Sequence, residues 1–443
     1  MTQWLAGYLV VAVIAVLVAV PAVAQPSPAG QAKAAPQPVP QAPRPYRGLF
    51  GAGSPSEPGA HLLDLNVSVY GEYGSTRHNE AVIGSPILGT GWFLGVRGGL
   101  SFEKSGQQTR FGLRTEGALR YYQDSRQTTL PRFSAEMGVD TTAGKRHQHT
   151  VRFGGTVAYE PYYILSLFDS TAPVTGGTAV VPTSRDDLLY RQQRYVFGQS
   201  FNYEHQFTPR SYLRLSEGLR FTKAESPAQD VQDLHASAGF GHRFSRYSAL
   251  RIGYGYQLGR YALNTRQRLE THDIDLSLDY RRPLTRSRRT TVGFSTGSSL
   301  VTAQQRRQWE FVGVANLRRE LGSGWFIQSD VAREVRLVEG FMEPFLANSV
   351  TANVGGFLSR RLELLTSGAY SRGTVGFGSD RYTAAQGSAR LRLALASFVA
   401  IDAEGLASQH RFDARIILPG LVFADLNRWA VRCNVALWLP LSR

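Results

Sequence analysis

Residues 234–258 read LHASAGFGHRFSRYSALRIGYGYQL. From Leu234 every second residue is apolar or small (Leu234, Ala236, Ala238, Phe240), continuing into His242 and Phe244. His235, Ser237, Gly239, Gly241 and Arg243 fall between them. After the basic turn at 245–248 the alternation resumes, with Leu250, Ile252, Tyr254, Tyr256 and Leu258 on one face. Arg251, Gly253, Gly255 and Gln257 take the other. Successive strand side chains point to opposite faces, so the stretch is an antiparallel hairpin with one apolar and one polar side. The unit recurs nearly to the C-terminus in strands of about ten residues or more. Soluble strands average about five or six residues, whereas a membrane-spanning strand needs about nine to eleven. The expected fold is therefore all-β, a transmembrane antiparallel up-and-down β-barrel.

The connections between these strands alternate long and short: nine long and eight short, which joins eighteen strands. The periodicity blurs over 307–335 and 395–430, which leaves sixteen strands as the alternative. Outer-membrane barrels carry short periplasmic turns, long external loops and an even strand count. Apolar outward sets are clearest in Phe111, Leu113, Leu119 and Tyr121, and in Val431, Cys433, Val435, Leu437 and Leu439. Tyr and Trp gather at strand ends (Trp92, Tyr121, Tyr159, Tyr190, Tyr280, Trp325, Trp429), where rings sit between acyl chains and headgroups. Cys433, the single cysteine, rules out an intramolecular disulfide framework and reads as a buried small hydrophobe.

Leu5 to Val20 is an apolar run of signal-peptide length, followed by Pro21 and the small-residue triplet Ala22-Val23-Ala24. The division expected is a signal peptide over 1–24, a disordered Pro/Ala/Gln-rich periplasmic linker over 25–60, and a barrel over 61–443. A retained single-span anchor is the other reading of the N-terminus, since no Lys or Arg precedes the run. After residue 24 no run of 18 apolar residues occurs, so spanning helices are not expected. The formal charge is +15, of which Lys33, Arg44, Arg47 and Glu57 leave a net +2 in residues 1–60 and +13 on the rest. The basic residues alternate along strands or sit in short turns, with no basic helix, so no nucleic-acid partner is expected.

The polar strand faces should line the lumen. Arg114, Glu116 and Arg120 share one face, Arg214 and Arg220 another, and Asp273, Asp275 and Asp279 a third, near Arg251. A barrel of about eighteen strands leaves an aqueous channel, and charged rings then select solutes. The plain reading is that these Arg and Asp residues pair across strands within a polar wall. The acidic trio lacks the loop carbonyls of a Ca²⁺ site. His147 and His149 lie two apart with no further ligands in view. Ser and His are common, yet no nucleophile–base pair stands out. No enzyme, cofactor or metal is expected. The long segment 161–189 opens PYYILSLFDS, and Tyr162, Tyr163, Leu167 and Phe168 are its candidates for a loop that folds inward and constricts the lumen. The other reading packs those aromatics on the external rim.

The opening strand LDLNVSVYGEY, the stretch YEPYYILSLF and the repeated unit HRFSRYSALRIGYGYQLGR together resemble uncharacterised outer-membrane β-barrel proteins of the barrel-porin type. Such proteins are often associated with exopolysaccharide gene clusters. The resemblance covers roughly residues 61–443 and carries no defined functional residue. Tyr73-Gly74-Ser75 stands where those proteins have a paired-Asp element, and the chain ends WLPLSR without a terminal aromatic. It implies a passive porin-like channel for small solutes or exported glycan, with a non-conducting structural or docking barrel as the alternative. The partners expected are outer-membrane lipid and lipopolysaccharide, the barrel-assembly machinery, and polysaccharide or periplasmic export proteins. The expected location is the outer membrane, with the linker and C-terminus in the periplasm.

Overall fold

The computed structural model describes residues 61–442 except 79–89, 123–127, 145–147, 165–187, 226–229, 246–247, 262–267, 281–289, 304–305, 322–324, 337, 339–342, 378–379 and 419–420. The signal-peptide and linker expectations for 1–60 lie outside the described residues, as do Leu167, Phe168 and His147.

Eighteen strands follow one another: β1 (His61–His78), β2 (Thr90–Ser105), β3 (Thr109–Tyr122), β4 (Thr128–Ala143), β5 (His149–Ile164) and β6 (Leu188–Gln206). Then come β7 (Ser211–Ala224), β8 (Val231–Arg243), β9 (Ser248–Tyr261), β10 (Arg268–Tyr280), β11 (Thr290–Ala303) and β12 (Arg306–Leu321). The last six are β13 (Trp325–Arg336), β14 (Phe345–Phe357), β15 (Leu362–Val375), β16 (Arg381–Ala396), β17 (Val399–Leu418) and β18 (Leu421–Ser442). Each strand pairs antiparallel with its neighbours in sequence, and β1 pairs with β18, so the sheet closes on itself. The sixteen-strand alternative is set aside, because the blurred regions resolve into β12–β13 and β17–β18. Closure supplies every strand with two partners, which is the condition for crossing hydrocarbon with strands.

The apolar series faces outward. Trp92, Leu94 and Val96 on β2, Val157 on β5, Ile252 and Tyr254 on β9, and Val431 and Val435 on β18 are all exposed. In a water-soluble protein this arrangement would be inverted. Here it forms a lipid-facing belt, and the polar series turns inward. Tyr73 packs against Trp92 and Trp429, with ring centroids at 4.8 and 5.6 Å, as part of an aromatic girdle at the long-loop end. Cys433 is exposed in the outward series, which corrects the expectation of a buried small hydrophobe. The apolar face of a strand in such a barrel is its outside. Glu217 interrupts the belt: it stands between Leu215 and Leu219, opposite Phe201 and Ala236, and is exposed.

Two ladders stop short at the long-loop end. The β4–β5 pairing ends at Phe133↔Tyr159 although both strands continue, and Pro131, which has no N–H, stands just beyond. The β12–β13 pairing ends at Gly313↔Arg333, although β12 extends back to Arg306 on β11 and β13 runs on to Arg336 on β14. No proline explains the second break.

Candidate functional site

The lumen wall formed by β15–β18 and β1–β3 carries the densest set of charges. Glu72 on β1 is 1 % exposed. It accepts from Arg428 Nη2 at 2.9 Å and from Arg432 Nε at 2.8 Å, both on β18. Barrel closure alone brings these groups together, since Glu72 and Arg432 are register partners across the β1–β18 seam. Arg432 also lies 3.9 Å from Glu404 on β17. Next along the wall, Arg392 on β16 pairs with Asp402 at 2.7 Å and with Glu363 on β15 at 3.7 Å. Asn434 Nδ2 donates to the other oxygen of Asp402 at 2.9 Å. Burying a carboxylate is costly unless cations and donors replace water, and each of these lies within 4 Å of an arginine.

Tyr70 is the hub of the wall. Arg120 Nε donates to its hydroxyl at 2.9 Å, and the guanidinium carbons of Arg97 and Arg432 lie 5.8 and 5.3 Å from its ring centroid. The ring lies across the neighbouring strand, which is possible because residue 95 is glycine. A Cβ there would sit 2.2 Å from Tyr70 Cζ. Arg97 in turn pairs with Glu116 on β3 at 3.3 Å. Ser68, Tyr70, Arg97, Arg390, Asp402, Glu404, Arg432 and Asn434 surround a recess of about 30 Å³, the space of roughly one water rather than of a solute. Taken together, Arg97, Arg120, Arg390, Arg392, Arg428 and Arg432 face Glu72, Glu116, Glu363, Asp402 and Glu404: six cations against five carboxylates, a net charge of +1.

The remaining sequence candidates are distributed around the wall. Arg114 faces inward and is exposed, opposite Ser101 and Glu136. Arg120, on the same strand face, is instead buried against Tyr70 and Phe93. Arg214 pairs with Glu204 at 2.7 Å on the β6–β7 wall, and Arg220 stands opposite Asp233. Arg251 pairs with Asp275 at 3.3 Å. Asp273 stands opposite Gly255 and Ser299, and Asp279 opposite Ala249. Tyr162 and Tyr163 require a correction. They belong to β5, whose ladder with β6 continues past Glu160 to Ile164↔Leu188, so they are strand rather than loop residues. The run of β-formers in YEPYYI extends the ladder through an irregular register.

Sequence reasoning missed Glu72, Arg97, Glu363, Arg390, Arg392, Asp402, Glu404, Arg428 and Arg432. Their signal was present: in β18, Arg428, Arg432 and Asn434 alternate with Trp429, Val431, Cys433 and Val435. It also missed apolar groups that face the lumen at the long-loop end. Tyr70, Phe93, Tyr122 and Leu130 pack inside β1–β4, and Phe345, Tyr382 and Phe412 form a ring series with centroids 5.0 and 6.2 Å apart inside β14–β17.

No family model matches the chain, and neither does any curated protein. Among solved structures, Pseudomonas aeruginosa OpdQ is similar at a TM-score of 0.45 and 10% identity, covering 86% of this chain and 98% of that one. P. aeruginosa OccK2 (OpdF) in complex with glucuronate gives 0.45 and 12%, covering 87% and 100%. P. aeruginosa OccK11 (OpdR) gives 0.42 and 12%, covering 90% and 100%.

Proposed function

We propose that the chain is an outer-membrane porin-like channel that passes small solutes passively, with a preference for anions. The observation that carries this reading is the pairing of a lipid-facing apolar exterior with a charged inner face on a closed eighteen-strand sheet, of which one stretch, on β15–β18 and β1–β3, sets six arginines against five carboxylates. A wall so charged is wasteful inside a solid core and useful along an aqueous path. The short turns face the periplasm in this reading, which fits Arg210, Arg360 and Arg361 near inner-leaflet phosphates. Exported glycan is the larger cargo that the sequence resemblance suggests, and polysaccharide-export proteins would then be its periplasmic partners.

Liposome swelling tests the reading. Vesicles holding the refolded protein should swell faster in a small sugar acid than in a neutral sugar of the same size, and Arg432→Gln should narrow that gap. Equal rates for both solutes would remove the anion preference, and no swelling would remove the channel. A second reading, a non-conducting docking barrel, is favoured by the aromatic packing of Phe345, Tyr382 and Phe412 inside the lumen.

A further inference from the structure

We propose that the seam between β12 and β13 is a lateral portal, through which a single-tailed anionic amphiphile passes between the lumen and the outer leaflet. The inference rests on the channel reading above. Its starting point is the ladder that ends at Gly313↔Arg333. Continued in register, Val312 would meet Glu334, Phe311 would meet Val335 and Glu310 would meet Arg336, yet none of these pairs forms. All six residues lie in strand, and each strand stays bonded to its other neighbour, β11 or β14. The wall is thus parted where its chemistry permits pairing. The parted β4–β5 ladder differs, because Pro131 blocks it and Arg132 with Glu160 spans its inner side at 3.4 Å.

The two strands overlap at the seam. Val335 belongs to the outward series of Val331 and Arg333, yet it packs against the inward-facing cluster of Val231, Leu269, Val301 and Ala303. The end of β13 has therefore turned inside the wall while β12 stays outside. On β12, Trp309 and Phe311 are 60 % and 64 % exposed, an aromatic pair flanking the parted strands on the lipid side.

One side chain bridges the parting. Arg333 donates from Nε to the backbone oxygen of Phe311 at 2.9 Å, replacing a lost ladder bond, and from Nη2 to Glu310 at 3.3 Å. Glu310 is in the inward series, so the ion pair threads the wall. An alkyl phosphate or carboxylate offers Arg333 the same acceptor geometry as Glu310. Its tail would lie along Trp309 and Phe311 and its head would enter the polar lumen. Pairing of β12 with β13 gives the closed state and parting gives the open one.

Locking the seam tests the proposal. In a Cys433→Ser background, Phe311→Cys with Val335→Cys places thiols at the register partners that pairing would bring face to face. A disulfide, or an ethylene-linked bis-methanethiosulfonate where the thiols stay too far apart, then holds the strands together. Albumin extraction of NBD-dodecyl phosphate from the inside of proteoliposomes reads lateral passage, and KCl conductance reads the channel. Locking should slow extraction by about tenfold, as a population shift of that size requires, and reduction should restore it, with conductance little changed. Equal extraction from locked and reduced protein would overturn the portal. In the unlocked protein, Glu310→Ala, which keeps Arg333 for the head group, should speed extraction, and an unchanged rate would overturn the role given to the Arg333–Glu310 bridge. Absent conductance with lock-sensitive extraction would sink the channel reading and leave the portal standing.

Discussion

Glu72 should be the most costly single charge in the barrel to remove. It is 1 % exposed and accepts from Arg428 and Arg432, whose side chains are 8 % and 5 % exposed. Glu72→Gln keeps the volume and removes the charge, which takes from two buried guanidiniums of β18, Arg428 and Arg432, the carboxylate they share across the β1–β18 seam. Breaking a buried, hydrogen-bonded pair costs about 3–5 kcal/mol, chiefly because the stranded charge stays desolvated. The exposed pair Arg214–Glu204 is the internal control, with side chains 49 % and 25 % exposed. Glu204→Gln should cost no more than about 1 kcal/mol. Urea unfolding in lipid vesicles, followed by tryptophan fluorescence, measures both. The midpoint for Glu72→Gln should fall several times further than for Glu204→Gln, with the slope unchanged. Glu72→Gln with Arg432→Met should recover part of the loss. If Glu72→Gln and Glu204→Gln were equally mild, the closure strand would not be held by this pair, and the reasoning about buried charge would be wrong.

Other outcomes follow from the same geometry. Gly95→Ala should cost about 1–3 kcal/mol, because its Cβ would meet Tyr70 at 2.2 Å and the ring must move; the same unfolding assay checks it. Glu217→Leu should raise stability in bilayers by about 1 kcal/mol, since a carboxylate in the lipid belt is costly, and an unchanged midpoint would place Glu217 outside the hydrocarbon. Asp275→Asn removes a carboxylate 3.3 Å from Arg251 and should shift the reversal potential further toward anions.

The fold was legible because its signal is local. A period of two in Leu234–Leu258, repeated between alternating long and short connections, indicates pairing and which face meets lipid, and leaves the strand count between sixteen and eighteen where the alternation blurs. Arg251 near Asp275 could be read the same way, since β9 and β10 adjoin in sequence. The Glu72–Arg428–Arg432 group could not. Its members are 356 and 360 residues apart, and only ring closure sets them opposite each other. The inward aromatics Tyr70, Phe93 and Tyr382 were hidden for a different reason. Alternation identifies a face, and an aromatic on the polar face looks like a lapse in the pattern until its neighbours Tyr122 and Phe412 are placed. The β12–β13 parting falls where the alternation blurs, over 307–335, but a missing ladder bond changes no residue, so the blur could not be read as a parting.

Single-channel conductance of the refolded barrel in planar bilayers, with a reversal potential in a salt gradient, tests the central claim most directly. Stable open steps with a reversal potential on the anion side are the result predicted if the arginine-rich stretch of wall on β15–β18 and β1–β3 sets the selectivity. Silence from protein whose heat-modifiable gel mobility proves it folded would contradict the channel, and would leave the inward packing of Phe345, Tyr382 and Phe412 as a plug.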